Sequence, residues 1–366
     1  MKGDSGMRIA FLGDASLDHI RRWVGHFAGG GHDVLLVSFE RTDGCPFPTV
    51  RLHKRLPTKL AGYLAALPRL RRLLAEFNPD LVNALYVTGY GLLGALSGYR
   101  PFVVTALGSD LLVDYPSSPV HRFQVKRALG RADLVTVDAG VLSEVARSAG
   151  AAANNIETVY FGIDDTVFHP GRETGSGAER EGPATIVSTR NLHPVYDLDT
   201  LIDAAPAILS RTDARLLICG DGPQRQRLEE SVARRGIGGR VTFSGRLTPQ
   251  GIAERLRSAD CYVSTSRSDS TSVSLLEAMA CGVPPVVTDL PANREWIENG
   301  PGGLLFPAGE AGALAEAVTT MLEKKELAAA VRKRNLGIIA ARGLWRQNME
   351  RLEERFRGLT GRTRES

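Results

Sequence analysis

The chain is 366 residues long, with 43% hydrophobic and 23% charged residues, a composition typical of a folded globular protein. At roughly 150 residues per domain, this length predicts two domains. The formal net charge of +4 is too small for a dedicated nucleic-acid-binding protein, so no nucleic-acid partner is expected. The four cysteines form no C-x-x-C pair, which argues against a disulfide framework or a zinc site and favours a cytoplasmic protein.

Short apolar runs alternate with helical patterns through the first half of the chain. The apolar runs read RIAFLGD, DVLLVSF, PDLVNALY, PFVVTALGSD, ADLVTVDA and NNIETVYFGID. This alternation predicts a parallel sheet covered by helices on both faces. The uncharged run 81–99 is long enough to cross a membrane, but it contains polar residues and four glycines. We therefore expect a buried strand followed by a Gly-rich helix there.

A glycine-rich stretch without periodicity, GRETGSGAEREGP at 171–183, separates the first series from a second series of the same kind. The second series begins at ATIVSTR and runs to LAEAVTTMLEKK, and an amphipathic helix is predicted over 344–359. The expected organisation is a first α/β domain over 1–170, a hinge linker over 171–183, a second α/β domain over 184–343, and a C-terminal helix over 344–366. Ligands of such sheets bind beyond the carboxyl ends of the strands.

The most informative stretch is 266–289, SRSDSTSVSLLEAMACGVPPVVTD. A strand ends there in a polar turn, and Ser and Thr residues precede a new helix that Gly282 ends. The first backbone amides of that helix, near 272–274, favour a phosphate group together with the helix dipole. Asp269 and Glu277 lie eight residues apart and could accept hydrogen bonds from sugar hydroxyls at the same place. An ordinary capped helix, with Asp269 as its cap and a solvated Glu277, explains the same spacing equally well.

This pattern resembles the retaining, nucleotide-sugar-dependent glycosyltransferases of family four (glycosyl transferases group 1). Their E-x7-E and A-x-A-x-G-x-P signature reads here as Asp269 to Glu277 followed by EAMACGVPPVV. The segments STRNLHP, LLICGDGPQRQRLE, VTFSGRL and FGIDDTVFHP also match the family's order, and the resemblance is most specific in the second half. It implies a GT-B fold of two doubly wound parallel-sheet, Rossmann-like domains that face a central cleft. It also implies that the N-terminal domain binds the acceptor and the C-terminal domain binds the nucleotide sugar.

The resemblance implies a role for each residue that matches a family motif. Arg190 would clamp the diphosphate, Glu277 would hold the ribose hydroxyls, and Asp269 would bind a hydroxyl of the donor sugar; these three are the candidate catalytic residues. The candidate donor-binding residues would flank the base, approach the phosphates or offer amides: Gly220, Gly222, Gly245, Arg246, Arg267, Ser272, Val273 and Ser274. The sequence contains no cluster with metal-ligand spacing, so we expect no metal and no cofactor besides the donor substrate.

Three positions depart from the family's pattern. Tyr196 stands where the family usually has a Lys, and a phenol cannot supply a cation to the diphosphate. Arg246 or Arg267 would then have to compensate. Leu107 stands where a His often lies near the donor sugar, and Asp269 is one methylene shorter than the usual Glu.

The acceptor-side candidates lie in two loops of the first half: Asp14, Ser16, His19, Gly108 and Asp110. For His19, a local hydrogen-bonding role at a helix start is the simpler explanation. For Asp110, a position in the cleft and a role as a helix cap are equally compatible with the sequence.

Seven basic residues lie within 51–72 and alternate with apolar ones: Arg51, Lys54, Arg55, Lys59, Arg69, Arg71 and Arg72. A basic amphipathic patch of this kind can bind anionic lipid. A solvated helix face that packs on the core has the same pattern, and both interpretations stay open. The expected location is cytoplasmic, with peripheral contact on the inner face of the membrane if the patch binds lipid.

The residues and the resemblance together predict a retaining, metal-independent glycosyltransferase that moves a sugar from a nucleotide diphosphate sugar, expected to be a UDP-sugar, to an acceptor hydroxyl. The acceptor would be a glycan, a lipid-linked molecule or a small molecule. The alternative is a catalytically inert protein that only binds a nucleotide sugar, because the three departures would suit a degenerate site.

Overall fold

The computed structural model describes residues 6–53, 59–171 and 182–364. The chain divides into two compact units, the first formed by Met1–Val159 with Met349–Ser366 and the second by Tyr160–Asn348. The segment 160–170, which the sequence pattern assigned to the first domain, thus belongs to the second unit. Residues 172–181 of the expected hinge linker lie outside the described residues.

The first unit is built on a seven-stranded parallel sheet with the order β3-β2-β1-β4-β5-β6-β7. Its strands are β1 Arg8–Leu12, β2 Asp33–Ser38, β3 Thr49–Arg51, β4 Leu81–Leu85, β5 Phe102–Thr105, β6 Leu134–Val137 and β7 Ile156–Thr158. Its helices are α1 Asp18–Gly29, α2 Lys59–Phe77, α3 Tyr90–Ser97, α4 Tyr115–Ser117, α5 Pro119–Leu129 and α6 Gly140–Ser148. A π-helical turn, Asp110–Asp114, precedes α4. The run 81–99 therefore forms β4 and α3, and none of the described helices is long and apolar enough to cross a membrane.

The second unit is built on a six-stranded parallel sheet with the order β10-β9-β8-β11-β12-β13. Its strands are β8 Ala184–Ser188, β9 Ala214–Cys219, β10 Val241–Gly245, β11 Cys261–Ser264, β12 Pro285–Thr288 and β13 Leu304–Phe306. Its helices are α7 Leu198–Arg211, α8 Arg225–Arg234, α9 Pro249–Arg257, α10 Val273–Ala280, α11 Pro291–Arg294, α12 Ala311–Glu323 and α13 Lys325–Ile338. The strand order changes direction between β1 and β4 in the first sheet and between β8 and β11 in the second. Doubly wound sheets bind ligands at such a point.

The central strands of both sheets are buried on both faces, which explains why their sequences are continuous apolar runs. Three of the four cysteines, Cys219, Cys261 and Cys281, are buried free thiols in the second unit. Two parallel-sheet α/β domains of this kind constitute the GT-B fold, as the sequence predicted.

The C-terminal helix, α14 Trp345–Arg364, contributes its residues from Met349 onward to the first unit. Phe356 is fully buried and stacks on Phe27 of α1, with ring centroids 5.4 Å apart. Glu353 lies one turn earlier, and its Oε1 is 3.0 Å from Nε2 of the buried His32. This part of the helix therefore completes the core of the first unit.

Candidate active site

Arg190 is the centre of the polar cluster in the second unit. It follows β8 by two residues, at the carboxyl end of the central strand, and its side chain is buried. Nη1 donates hydrogen bonds to Oγ of Ser272 and Oγ of Ser274, both at 2.8 Å, and Nη2 donates to Oδ2 of Asp269 at 2.7 Å. Nε is buried and finds no acceptor among the described residues. The Nε–H is therefore left for an oxygen that the described protein does not supply.

The electrostatics of the cluster keep Arg190 charged. Burial alone would lower the pKa of the guanidinium, but the negative charge of Asp269 and smaller contributions from Tyr262 and Tyr196 raise it above its ordinary value. Burial also raises the pKa of the Asp269 carboxyl, although Arg190 and nearby hydroxyls oppose that shift. A buried cation with a spare donor is an arrangement that suits an anionic ligand.

The helix α10 begins directly beside the guanidinium. Ser272 occupies the position before its first residue, and its hydroxyl binds Arg190 instead of capping the helix. The first amides of any helix have no intrahelical acceptor, and the helix dipole adds partial positive charge at the same end. Tyr262 on β11 donates a hydrogen bond to Oγ of Ser274 at 2.9 Å and so holds that hydroxyl in place. Arg190 thus lies at the positively polarised start of α10, with its own charge balanced in part by Asp269.

Tyr196, which replaces the family's usual Lys, is the stacking partner of Arg190. The Arg190 Cζ lies 3.9 Å from the centroid of the Tyr196 ring, which is a close cation–π contact. Tyr196 ends a short 3-10 turn, Pro194–Tyr196, and its carbonyl accepts a hydrogen bond from Oγ1 of Thr265 at 2.8 Å. The phenol supplies no cation, but its ring covers one face of the guanidinium and limits where the guanidinium can move.

The two arginines that were candidates to replace the missing Lys differ in their surroundings. Arg267 forms an ion pair through Nη2 with Oδ2 of Asp197 at 2.8 Å, and its side chain is 58% exposed. Arg246 lies on the exposed side of the turn that follows β10. Arg267 is thus already paired with a carboxylate, whereas Arg246 faces solvent.

The glycines assigned to donor binding lie against the loop that carries Arg190. A Cβ atom on Gly220 would come within 2.5 Å of the Arg190 carbonyl oxygen, and a Cβ on Gly222 within 2.5 Å of the Leu192 carbonyl oxygen. Gly220 also donates a backbone hydrogen bond to the Gly245 carbonyl at 2.9 Å. These glycines therefore permit close approach of two protein backbone segments. The sequence pattern could not distinguish this role from close approach of a ligand.

Glu277 lies in the second turn of α10 and is half-buried. Its negative charge contributes to the raised pKa of Arg190, so the two residues belong to the same electrostatic environment. The structure therefore brings Arg190 and Asp269 into direct contact, and places Glu277 on the helix that begins beside them. The ion pair between Arg190 and Asp269, which joins residues 79 positions apart, was not visible in the sequence.

In the first unit, the candidate residues follow β1 and β5. Asp14 and Ser16 lie in the loop after β1, and His19, expected in that loop, is in the first turn of α1. Gly108 lies in the turn after β5, and Asp110 begins the π-helical segment. Oδ1 of Asp14 accepts hydrogen bonds from the backbone amide and the hydroxyl of Ser16, at 2.9 and 2.6 Å. Ser16 and His19 are exposed. Gly108 has a φ of +100°, a conformation that suits glycine at the turn before the π-helical segment.

Asp110 is fully buried, and its carboxylate is used by backbone amides. Oδ2 accepts from the amide of Val87 at 2.8 Å, and Oδ1 accepts from the amide of Leu111 at 3.0 Å. The Leu107 amide contacts both oxygens at 3.2 Å. Burial raises the pKa of Asp110 to about 6 despite these bonds. The carboxylate thus joins the loops after β4 and β5 from a buried position. Asp110 is neither an open cleft residue nor the cap of the π-helical turn, because the cap position is Ser109 and no side chain caps that turn.

A polar cluster next to Asp110 had no signal in the sequence. The Tyr86 hydroxyl donates to Oδ2 of Asp114 at 3.0 Å and lies 3.0 Å from the Ser109 hydroxyl. Thr88 donates to the same Asp114 oxygen at 3.0 Å. Tyr86 has a φ of +119°, a strained value for a residue with a side chain. The cluster fixes the loop at the carboxyl end of β4.

Comparisons with known proteins agree with this architecture. The sequence matches the family described as Glycosyl transferases group 1 over residues 172–336 and that described as Glycosyl transferase 4-like over residues 8–139. The two matches together span most of both units. The chain therefore belongs to the group 1 glycosyltransferases, and it is a glycosyltransferase.

Among similar curated proteins, the N-acetyl-alpha-D-glucosaminyl L-malate synthase of Bacillus anthracis is 26% identical over 87% of this chain and 85% of its own length. A GDP-mannose-dependent alpha-(1-6)-phosphatidylinositol dimannoside mannosyltransferase of Mycobacterium tuberculosis is 28% identical over 84% of each chain. Among solved structures, Anabaena HepE in complex with UDP and glucose superposes with a TM-score of 0.78 at 19% identity, covering 96% of this chain and all of that one. This structure supports the GT-B fold.

Proposed function

We propose that this protein transfers a sugar from a UDP-sugar to an acceptor hydroxyl, with retention of the anomeric configuration and without a metal. The observation that carries the proposal is the buried Arg190, whose Nε has no partner among the described residues and which lies beside the start of α10. Fixed positive charge at this point suits the leaving diphosphate, whose negative charge grows as the glycosidic bond breaks.

The proposed reaction exchanges one bond for another at the anomeric carbon. The bond from that carbon to the diphosphate oxygen breaks, and a bond to the acceptor oxygen forms on the same face of the sugar. The acceptor's proton passes to the departing diphosphate, which acts as the base. Arg190 and the amides of Val273 and Ser274 would stabilise the diphosphate, and Glu277 would bind the ribose. Because Asp269 now pairs with Arg190, an arriving phosphate must share the guanidinium with this carboxylate.

The proposal of a metal-independent reaction rests on the same residues. Within the described ranges, no group of three His, Cys, Asp or Glu side chains is placed to hold a metal ion. Arg190 and the helix start provide the positive charge that a metal would otherwise supply. We therefore expect transfer to continue in excess EDTA, and a metal requirement that EDTA abolishes would contradict this part of the proposal.

UDP is favoured as the nucleotide because the superposable Anabaena protein carries UDP and glucose. The mycobacterial relative uses GDP-mannose, so the base has to be tested directly. That relative also acts on a phosphatidylinositol dimannoside, which supports a lipid-linked acceptor here among the glycan, lipid-linked and small-molecule classes. We place the reaction in the cytoplasm, at the inner face of the membrane if the acceptor is lipid-linked.

The test is a thermal-shift screen of UDP, GDP and ADP with their sugars, followed by measurement of nucleotide release. Stabilisation by UDP and its sugars, with slow release of UDP from one of them, is the expected result. Stabilisation by GDP compounds alone would overturn the choice of base. Tight binding without release from any donor, and without transfer to any acceptor, would favour the inert binding protein instead.

A further inference from the structure

Helix α5 and the π-helical turn Asp110–Asp114 expose three large apolar side chains in the first unit. Phe123 is 60% exposed, Val113 is 52% exposed and Val120 is 48% exposed. Val113 belongs to the π-helical turn, whereas Val120 and Phe123 lie three residues apart on α5 and therefore on the same side of that helix. Large apolar side chains that cluster on a surface mark a site of interaction.

The α5 part of this surface is positively charged, whereas Asp114, next to Val113, is half-buried and accepts hydrogen bonds from Tyr86 and Thr88. Residues 115–132 contain no Asp or Glu but include four cationic side chains: Arg122, Lys126, Arg127 and Arg131. All four are exposed, and none forms an ion pair with a carboxylate of the described residues. Arg127 lies four residues after Phe123, so cationic groups continue the exposed face on which the apolar groups begin.

The opposite face of α5 is firmly packed. Gln124, Val125, Ala128 and Leu129 are buried, and Oε1 of Gln124 accepts a hydrogen bond from the Gly89 amide at 3.0 Å. The hydroxyl of Ser118 caps the helix by accepting from the His121 amide at 3.2 Å. The exposed face is therefore held on a rigid element, which limits the entropy lost when it binds.

We propose that this face, formed by Val113, Val120, Phe123, Arg122, Lys126 and Arg127, docks the protein on an anionic lipid bilayer. The apolar groups would enter the interfacial region, and the cations would bind the phosphates of the headgroups. A bilayer satisfies both features at once, whereas a protein partner would need apolar and acidic groups in a matching pattern. The proposal rests on the proposed function in one respect: docking on a bilayer would place a lipid-linked acceptor within reach of the enzyme.

This surface differs from the basic segment 51–72. In that segment, Lys54 and Arg55 lie outside the described residues, and Arg71 of α2 donates a hydrogen bond to the Leu96 carbonyl at 2.8 Å. Leu64 is the large apolar side chain that α2 exposes, at 47%. Each surface thus has exposed cations, and each has one that donates to a backbone carbonyl, since Arg122 donates to the Pro116 carbonyl at 3.3 Å. The two surfaces differ in their large exposed apolar side chains, of which the described part of 51–72 has one and the proposed face has three.

The test is co-sedimentation of the full-length protein with vesicles of phosphatidylcholine alone or with an equal part of phosphatidylglycerol. We expect binding to the mixed vesicles that weakens as salt is raised, and little binding to phosphatidylcholine. Arg122→Gln, Lys126→Gln and Arg127→Gln should each weaken binding about fivefold. Phe123→Ser should weaken it by about tenfold or more.

A matched control is Arg69→Gln with Arg72→Gln on α2, which should leave vesicle binding unchanged. Loss of binding in this control, with normal binding in the α5 variants, would overturn the proposal and favour the segment 51–72. Equal binding to both kinds of vesicle, or to neither, would also overturn it. UDP-induced stabilisation measured on the same preparations reports separately on the proposed function, since it should be the same in all these variants.

Discussion

Replacement of Tyr196 tests whether the ring holds Arg190 in a position to bind phosphate. Tyr196→Ala removes the ring, and Tyr196→Phe keeps it while removing only the hydroxyl. The guanidinium lies 3.9 Å from the ring centroid, and Arg190 is only 7% exposed. This is a desolvated cation–π contact, for which the upper value of about 2 kcal/mol applies. If part of that energy positions the guanidinium, the affinity for UDP should fall by about 5- to 30-fold in Tyr196→Ala.

The assay is calorimetric titration of UDP into each variant at a temperature well below its unfolding transition. Tyr196→Phe should bind UDP like the original protein, because the contact is made by the face of the ring. Equal affinity in folded Tyr196→Ala and Tyr196→Phe would refute the reasoning, since the ring would then have no part in positioning Arg190. Tyr196→Lys adds a second cation near Arg190, so it should lower the unfolding temperature and bind UDP more tightly than Tyr196→Ala.

Three further predictions concern the loop of Arg190 and the first unit. Gly222→Ala places a Cβ within 2.5 Å of the Leu192 carbonyl oxygen, so it should weaken UDP binding and lower stability. The control Gly312→Ala has open space around it and should neither weaken binding nor lower stability, as measured in the same assays. Phe356→Ala should lower the free energy of unfolding of the first unit by about 3–5 kcal/mol in denaturant titration, and an effect below about 1 kcal/mol would show that the C-terminal helix is not part of that core. Because the pKa of Asp110 rises on folding to about 6, this carboxyl favours the folded state most below pH 4, and that contribution is lost as the pH rises through about 6. Through this group, the original protein should lose about 3 kcal/mol of unfolding free energy at most between those pH values, and Asp110→Asn should not show this loss. Parallel pH profiles of the unfolding free energy for the two proteins would contradict the effect of burial.

The elements that the sequence predicted best are the long ones. The apolar run of β4 buries every position, that of β1 buries all but Arg8, and the glycine-rich segment after β4 forms α3 as expected. The edge strands β3 and β13 have three residues each and were not predicted, because so few residues show no periodicity. The edge strand β7 is as short, and it was predicted because its segment continues the series of apolar runs. Helix α13 was missed as well, because it follows α12 after a single residue.

Within the site, the sequence located the residues but not the contacts between them. The start of α10 and Arg190 could be found because the segments that contain them match motifs of the family in the same order along the chain. The role of Tyr196 could not, because a sequence position reveals the loss of a Lys but not the stacking of a ring on Arg190. Similarly, the spacing of Asp110 fitted a cap and a cleft residue equally, whereas its carboxylate is buried and binds backbone amides of two loops, which the sequence could not show.

The central claim is that Arg190 binds the phosphates of the donor, and titration of UDP into Arg190→Ala tests it most directly. A charged hydrogen-bonding contact contributes roughly 1.5–3 kcal/mol, so UDP affinity should fall by about 10- to 150-fold while the protein stays folded. The matched control is Arg227→Ala in the same unit, where an exposed arginine paired with Asp199 is removed and UDP affinity should not change. Unchanged UDP affinity in folded Arg190→Ala would contradict the account, because the buried guanidinium would then be a structural group and not a ligand of the donor.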